Sequence, residues 1–540
     1  MSRFLSSLTL AAALFMSTAY ASAQSVDVSQ LGAAQSFNAG PLDASNGGLG
    51  PTLWQGITAD RAQRYMGSID GQDLSELPSV FFRRIILSAG VPPQGDADQM
   101  AAFDLTRTKA QLKLGDKLAL ETLSNPQNPL QRDAGFRTQL ALSSGNTDAA
   151  CSEADREIDN RSASFWMQMR IICHIIRDEA AAAELTLNLL REKDDADPNF
   201  TGLADHVLGF SKTPPTDLPT GDLLIDTLRS LGSEKSAKSP ARYAALALSE
   251  ESLPDERLDA MFKAKDRLST EQVSSILSTL LYSDLELAGG TSFDIESALA
   301  GLQEAITFTK SVAQTYNLAT SFNDPASSSQ AVAALLTLSE TRDYLPQMSN
   351  HLRDSIAFIP AARQAELDAE RFAWVALRRG DLSTLASIYR ELDGGDPLAS
   401  RIALASDALG NGFVLGQLGL DIETRLDGKG DVRKQAVRDS LIALALGAQL
   451  SDKAALSLAS EEASERLNPL NLAELNALAK SNARAGTLLK VVASIGERAP
   501  NVLSNFEIYS YITALSTAGL TREAGELAAY DFLSRVPKTE

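Results

Sequence analysis

Residues 147–193 read TDAACSEADREIDNRSASFWMQMRIICHIIRDEAAAAELTLNLLREK, and they hold both cysteines of the chain. Asn160, Arg161 and Ser162 form a polar break within this stretch. After the break, Phe165, Met169, Ile172, Cys173 and Ile176 recur at spacings of three and four, the period of one helix face. A further helix is predicted from Asp178, whose carboxylate suits an N-cap, with Ala182, Leu185, Leu189 and Leu190 as its apolar positions. The acidic run of Asp194, Asp195 and Asp197 ends it, and Asp197-Pro198 reads as a fresh N-cap with proline at the first helical position. Short helices joined by tight turns predict an all-α protein built from antiparallel pairs.

The cysteines fit that layout. In a hairpin turning at Asn160–Ser162, positions equally far from the turn lie at one height. Cys151 falls ten residues before Arg161 and Cys173 twelve after it. Ala149, Ala150 and Ala154 let the backbones approach, so a Cys151–Cys173 disulfide is expected. The alternatives are two reduced, buried thiols, or a metal site that adds His174. Adjacent helix residues diverge by about 100°, and no fourth ligand is evident.

The compartment favours the disulfide. Residues 1–23 read as a secretory signal: Arg3, an apolar run from Leu8 to Phe15, and a small-residue cleavage site at Ala21-Ser22-Ala23 before Gln24. That run is too short to span a bilayer, and no later stretch approaches roughly 20 apolar residues. A soluble periplasmic protein is expected. Its formal charge of −20 disfavours nucleic acid and anionic membranes and favours cationic proteins or peptides as partners. Aromatic residues make up only 6% while alanine and leucine dominate, a mix that packs helices on helices.

From Ala97 onward one pattern recurs: an apolar helix, a tight polar turn, then a helix opening with alanines. The turns fall at Gly115-Asp116, Gly145-Asn146 and Arg177-Asp178, and later at Gly380-Asp381, Gly410-Asn411, Ser451-Asp452, Ala485-Gly486 and Gly519-Leu520. Spacings of about 30–40 residues with two helices per unit mark an α-solenoid. Glycine ends the first helix in a left-handed turn, and Asp or Asn caps the next. The chain here resembles the tetratricopeptide-like helical repeats, most clearly over 515–524 (LSTAGLTREA) and 374–381 (WVALRRGD). It is also similar to exported helical-repeat proteins of alphaproteobacteria. The resemblance implies a superhelix of paired helices, in two solenoid segments, that recognises partners along a concave groove.

The expected organisation is a signal at 1–23, a flexible leader at 24–52, a helical-repeat domain at 53–210, a Pro/Ser-rich linker at 211–240 and a second helical-repeat domain at 241–540. A long helix is predicted from Ala361 to Arg379, with Leu367, Arg371, Trp374 and Leu377 on one side.

Chemistry is sparse. His174, His206 and His351 are the only histidines, and none belongs to HExxH or sits near another at ligand spacing. The glycines of 410–416 follow no strand, so they read as an inter-helix loop, not a nucleotide cradle. Asp427 with Asp431, and Glu461, Glu462 and Glu465, lack the ligand spacing of a calcium loop. No metal, cofactor or catalytic residue is assigned. Trp54, Trp166 and Trp374 are the three tryptophans; core packing is the simple reading, and Trp166 and Trp374 are the candidates for a partner-binding face. The expected function is a non-catalytic periplasmic scaffold that binds proteins or peptides, in envelope assembly, secretion or polysaccharide export. The alternatives are an all-α lyase or glycosidase, or a structural component of the envelope.

Overall fold

A computed structural model describes residues 40–69, 74–213, 215–216, 218, 222–231, 240–249, 252–282, 295–304, 307–321, 324–393, 396–410, 417–459 and 468–534. The expected signal, the glycine run beyond Gly410, the acids at 461–465 and the C-terminal tail lie outside them. The fold is all-α: among the described residues the extended backbone amounts to two isolated bridges, Leu42 with Ser88 and Thr58 with Gln94. No described helix is long and apolar enough to cross a membrane.

The first helices are α1 (Ala59–Ile69), α2 (Glu76–Leu87), α3 (Ala97–Leu114), α4 (Lys117–Leu123), α5 (Ala134–Ser143), α6 (Thr147–Arg156), α7 (Ser164–Ile176), α8 (Ala180–Arg191), α9 (Pro198–Val207) and α10 (Leu223–Leu231). The middle of the chain forms α11 (Pro240–Leu248), α12 (Pro254–Lys263), α13 (Thr270–Tyr282), α14 (Ile295–Gly301), α15 (Phe308–Ser321), α16 (Pro325–Thr341), α17 (Leu345–His351) and α18 (Arg353–Phe358). Then follow α19 (Ala361–Arg379), α20 (Leu382–Glu391), α21 (Pro397–Leu409), α22 (Gln417–Leu426), α23 (Asp431–Ala445), α24 (Asp452–Ala459), α25 (Pro469–Lys480), α26 (Arg484–Ile495), α27 (Asn505–Thr517) and α28 (Thr521–Leu533).

Most neighbours in sequence pack as pairs, and the predicted turns explain why. Gly115 (φ 55°) and Gly380 (φ 64°) close α3 and α19 in the left-handed region. Asp116, Asn146 and Asp381 then accept backbone N–H groups at the starts of α4, α6 and α20. Several turns differ from expectation, and Gly410 ends α21 at φ −85°, outside the left-handed region. Asp178 is itself left-handed (φ 57°), so it ends α7 instead of capping α8. The turn placed at Ala485-Gly486 is made earlier by Asn482 (φ 58°). Gly486 instead permits a close approach, since a Cβ there would lie 3.0 Å from Ile57 Cδ1.

The long helix α19 is interrupted at Asp368, whose backbone is extended (φ −168°, ψ 80°). Its carboxylate accepts the N–H of Arg371 at 3.0 Å, capping a second helical segment from inside. Leu367 before the break and Trp374 after it both pack, half-buried, against the main-body core.

Of the leader expected to be flexible, residues 40–52 are described, and they pack on the body. Leu42 donates to Leu87 O at 3.1 Å, and Leu49 donates to Ser88 Oγ at 2.9 Å. Leu42, Leu49 and Leu53 are buried, and their burial outweighs the glycine-rich composition around them. Within the expected linker, α10 buries Leu224, Ile225 and Leu228.

The buried cores therefore divide the chain differently from the boundary expected at 211–240. One core joins residues from Leu42 to Ala119 with residues from Ala244 to Leu533, and forms the main body. A second, from Leu142 to Leu228, forms a side lobe of α5 to α10. A small cluster of Leu112, Leu123, Phe136 and Leu140 lies at the join. There the Arg267 guanidinium rests against Gly115 and donates to Ser143 O at 2.7 Å.

In the main body the two ends of the helix array meet. Helices α1 and α2 both pack on α26. Ala485 N–H donates to Leu53 O at 3.0 Å, and Ser75 N–H donates to Gly496 O at 2.9 Å. Arg84 on α2 reaches α28, 2.6 Å from Glu523 and 2.8 Å from Glu526. An open solenoid leaves its terminal repeats apart; here contacts across more than 400 residues join them.

Candidate functional site

Helix α7 is the spine of the side lobe. It buries Trp166, Met167, Met169, Ile171, Ile172 and Cys173. Cys151 on α6 and Cys173 form a disulfide with a Cα–Cα distance of 5.6 Å, so neither sulfur serves as a metal ligand. His174 turns away from the bridge and lies 2.7 Å from Glu179.

Helix α8 lies on α7 through Ala183, Leu187 and Leu190, at spacings of four and three. That choice rotates Leu185 and Leu189 outward, 63% and 49% exposed. Both were expected in the core. Leucines at 185, 187, 189 and 190 ring the helix, and only one set can face α7 at a time. The exposed leucines sit one turn apart, with Glu184, Glu192, Lys193, Asp194 and Asp195 exposed nearby and Asp178 and Glu179 at the head of the helix. At its other end Arg191 pairs with Asp205. Asp205 O accepts the N–H of Phe210 at 2.8 Å, which holds the backbone of that 57% exposed residue near the Arg191–Asp205 pair.

Two concavities lie elsewhere among the described residues. An open groove of about 460 Å³ runs along α5 and α6, lined by Gln131, Arg137, Asn146, Glu153 and Arg156 among others. Arg137 pairs with Glu153 at 2.6 Å, and its hydrogen bond holds that carboxyl below the usual range. A smaller cavity of about 220 Å³ lies in the main body between α18, α19 and α20. Ile356, Phe372 and Val375 form its apolar wall, and Gln364, Arg379 and Asp381 its polar one. Gln364 Nε2 donates to Ile359 O at 2.9 Å, and Arg379 donates to Ser349 O.

The tryptophans are placed by packing. Trp166 is buried in the lobe core, edge-on to Phe165 at 4.9 Å. Trp54 is fully buried against Phe103. Trp374 is half-buried and edge-on to Tyr530 at 5.3 Å, where the ends of the main body meet. The Tyr530 hydroxyl donates to Glu76 at 3.0 Å, and Arg378 pairs with Glu76 at 2.5 Å. Burial and the Glu76 carboxylate push the Tyr530 phenol well above its ordinary value.

The histidines do not converge. His206 lies 3.1 Å from Ser211 O, and His351 sits between Tyr344 and Thr270. None of the three lines the groove or the cavity. Asp427 and Asp431 engage Lys453 and Lys434. The structure thus brings together one sequence-predicted pair, Cys151 with Cys173, and separates Trp166 from Trp374. Sequence reasoning missed the outward leucines of α8. The signal was present in the i, i+4, i+7 set of Ala183, Leu187 and Leu190, which competes with the leucine pattern. No family model, no curated protein and no solved structure matches this chain.

Proposed function

We propose that the protein is a non-catalytic scaffold that binds other proteins or peptides, and that the side lobe carries the binding. The outward face of α8 supports this reading: two adjacent leucines are held in water by a helix whose other side already fills its core. The main body encloses Trp54 and the carboxylates of Asp439 and Asp531 in its core. Relationship to the tetratricopeptide-like repeats belongs to the same reading, supported by the left-handed turns between paired helices. So does export to the periplasm, supported by the bridged cysteines. A place in envelope assembly, secretion or polysaccharide export follows as the setting.

The test is site-specific cross-linking in the native envelope, with a photo-reactive phenylalanine at Asn188, which is exposed on α8. A discrete adduct with one protein is expected. Absence of any adduct, together with turnover of a polysaccharide by the purified chain, overturns the scaffold reading in favour of an enzyme.

A further inference from the structure

We infer that the outward face of α8 receives a cationic amphipathic helix from a partner protein; this names the partner class for the lobe and rests on the scaffold reading above. Three observations select that occupant. First, Leu185 and Leu189 stand one turn apart on a straight helix, and the backbone of the exposed Phe210 is held near the Arg191–Asp205 pair at its C-terminal end. Anchors at helical spacing match the apolar stripe of a second helix laid alongside.

Second, the rim is predominantly acidic, with Lys193 exposed among the acids. Asp178, Glu184, Glu192 and Asp194 are exposed near the leucines, while Glu179 meets His174 and Asp195 accepts from Ser164 Oγ at 2.7 Å. The nearby arginines are engaged: Arg191 pairs with Asp205 and Arg177 with Asp155. Lysines flanking a partner's apolar stripe would therefore meet a field of opposite charge, which raises the association rate and makes it salt-sensitive. The same field argues against the other occupants. A second copy brings acid against acid, and an anionic lipid surface is repelled.

Third, the face is prebuilt. The Cys151–Cys173 bridge fixes α7 to α6, and α8 lies directly on α7. A surface already in its bound shape loses less freedom on association.

The experiment uses the full oxidised chain and a designed peptide of about 18 residues, with leucines at i, i+3, i+4 and i+7 and lysines elsewhere. A scrambled peptide of the same composition is the control, and binding is read by fluorescence anisotropy at two salt concentrations. The patterned peptide is expected to bind, more weakly at high salt, and the scrambled one to fail. The double variant Leu185→Asp/Leu189→Asp should weaken binding by at least about tenfold with an unchanged circular dichroism spectrum, since both positions are exposed. Glu184→Lys/Glu192→Lys should keep the fold, weaken binding and flatten its salt dependence. Equal binding of both peptides, or no loss in the leucine variant, overturns the proposal. Self-association of the wild-type chain that the leucine variant abolishes would assign the face to a second copy and overturn it as well. A cross-linked partner from the native envelope that maps to the α5–α6 groove overturns this inference while leaving the scaffold reading intact.

Discussion

The main body and the side lobe stabilise the same kind of helix pair by different means. The main body draws its core from residues as distant as Leu42 and Leu533, and that extent of burial accommodates charge. Asp439 is fully buried, with Arg401 at 2.8 Å and Arg425 at 2.7 Å. Asp531, also fully buried, pairs with Arg438 at 2.6 Å, while that guanidinium donates to Leu503 O and Pro500 O. Such pairs tolerate burial because nearly every lone pair and N–H has a partner. The lobe has a smaller core, from Leu142 to Leu228, and adds a covalent bridge. A short core needs a staple where a long one does not. Both regions leave some large apolar side chains exposed, Leu185 and Leu189 on the lobe and Phe358 and Leu470 on the main body, but in the lobe the two leucines stand on one helix a turn apart.

The largest effect should come from removing one member of a buried ionic group in the main body. Asp439→Ala leaves Arg401 and Arg425 facing each other without their shared anion, and such losses run to about 3–5 kcal/mol. The expected outcome is a urea midpoint well below wild type for the main-body transition, followed through the fluorescence of Trp54 and Trp374. A change under about 1 kcal/mol would mean that water reaches the site and that the contrast with the lobe is overdrawn.

The next effect sharpens the contrast from the other side. The bridge spans a sequence separation of 22, for which chain-entropy arguments give roughly 3 kcal/mol. Cys151→Ala/Cys173→Ala should speed amide hydrogen exchange in α6, α7 and α8 and leave α23, α27 and α28 protected. Equal loss of protection in both regions would show one cooperative unit, with the link through Arg267 and Ser143 stronger than the division into two cores implies.

What could be read in the sequence follows the range of each interaction. Turns set by Gly115-Asp116 or Gly380-Asp381 depend on two or three residues, and they formed where expected. The bridge was legible because Cys151 and Cys173 sit nearly symmetrically about a local turn. The interruption at Asp368 was harder, because an aspartate inside an apolar-periodic run reads equally well as a solvated helix position. The meeting of the ends was not legible at all. Arg84 with Glu523, and Gly486 beside Ile57, are matched by three-dimensional proximity across hundreds of residues, for which a single sequence carries no period. The candidate site fared similarly: Leu185 and Leu189 were visible as leucines, but their direction depended on which set α7 would accept.

The smallest effect tests the closure of the main body by pH. Glu474 on α25 accepts from the Tyr65 hydroxyl of α1 at 2.5 Å, with Lys490 at 2.8 Å and Arg61 at 3.1 Å. Its hydrogen bonds, from Lys490 first and then Tyr65, hold the carboxyl down at about 2, below its ordinary 4.5. Burial and the Glu474 bond push the Tyr65 phenol up to about 12, so it remains a donor across the whole acid and neutral range. Because the folded-state value is depressed, the contribution is complete above about 4.5 and is lost as the pH falls toward about 2. The site is partly exposed, which limits the effect to the order of 1 kcal/mol or less. Glu474→Gln should therefore melt below wild type at pH 6, with the gap closing as the pH is lowered through 4 toward 2 and with added salt. A gap that stays constant over that range would place the cost of the substitution in lost packing, and would remove the ionic latch between α1 and α25 from the account of how the ends are held.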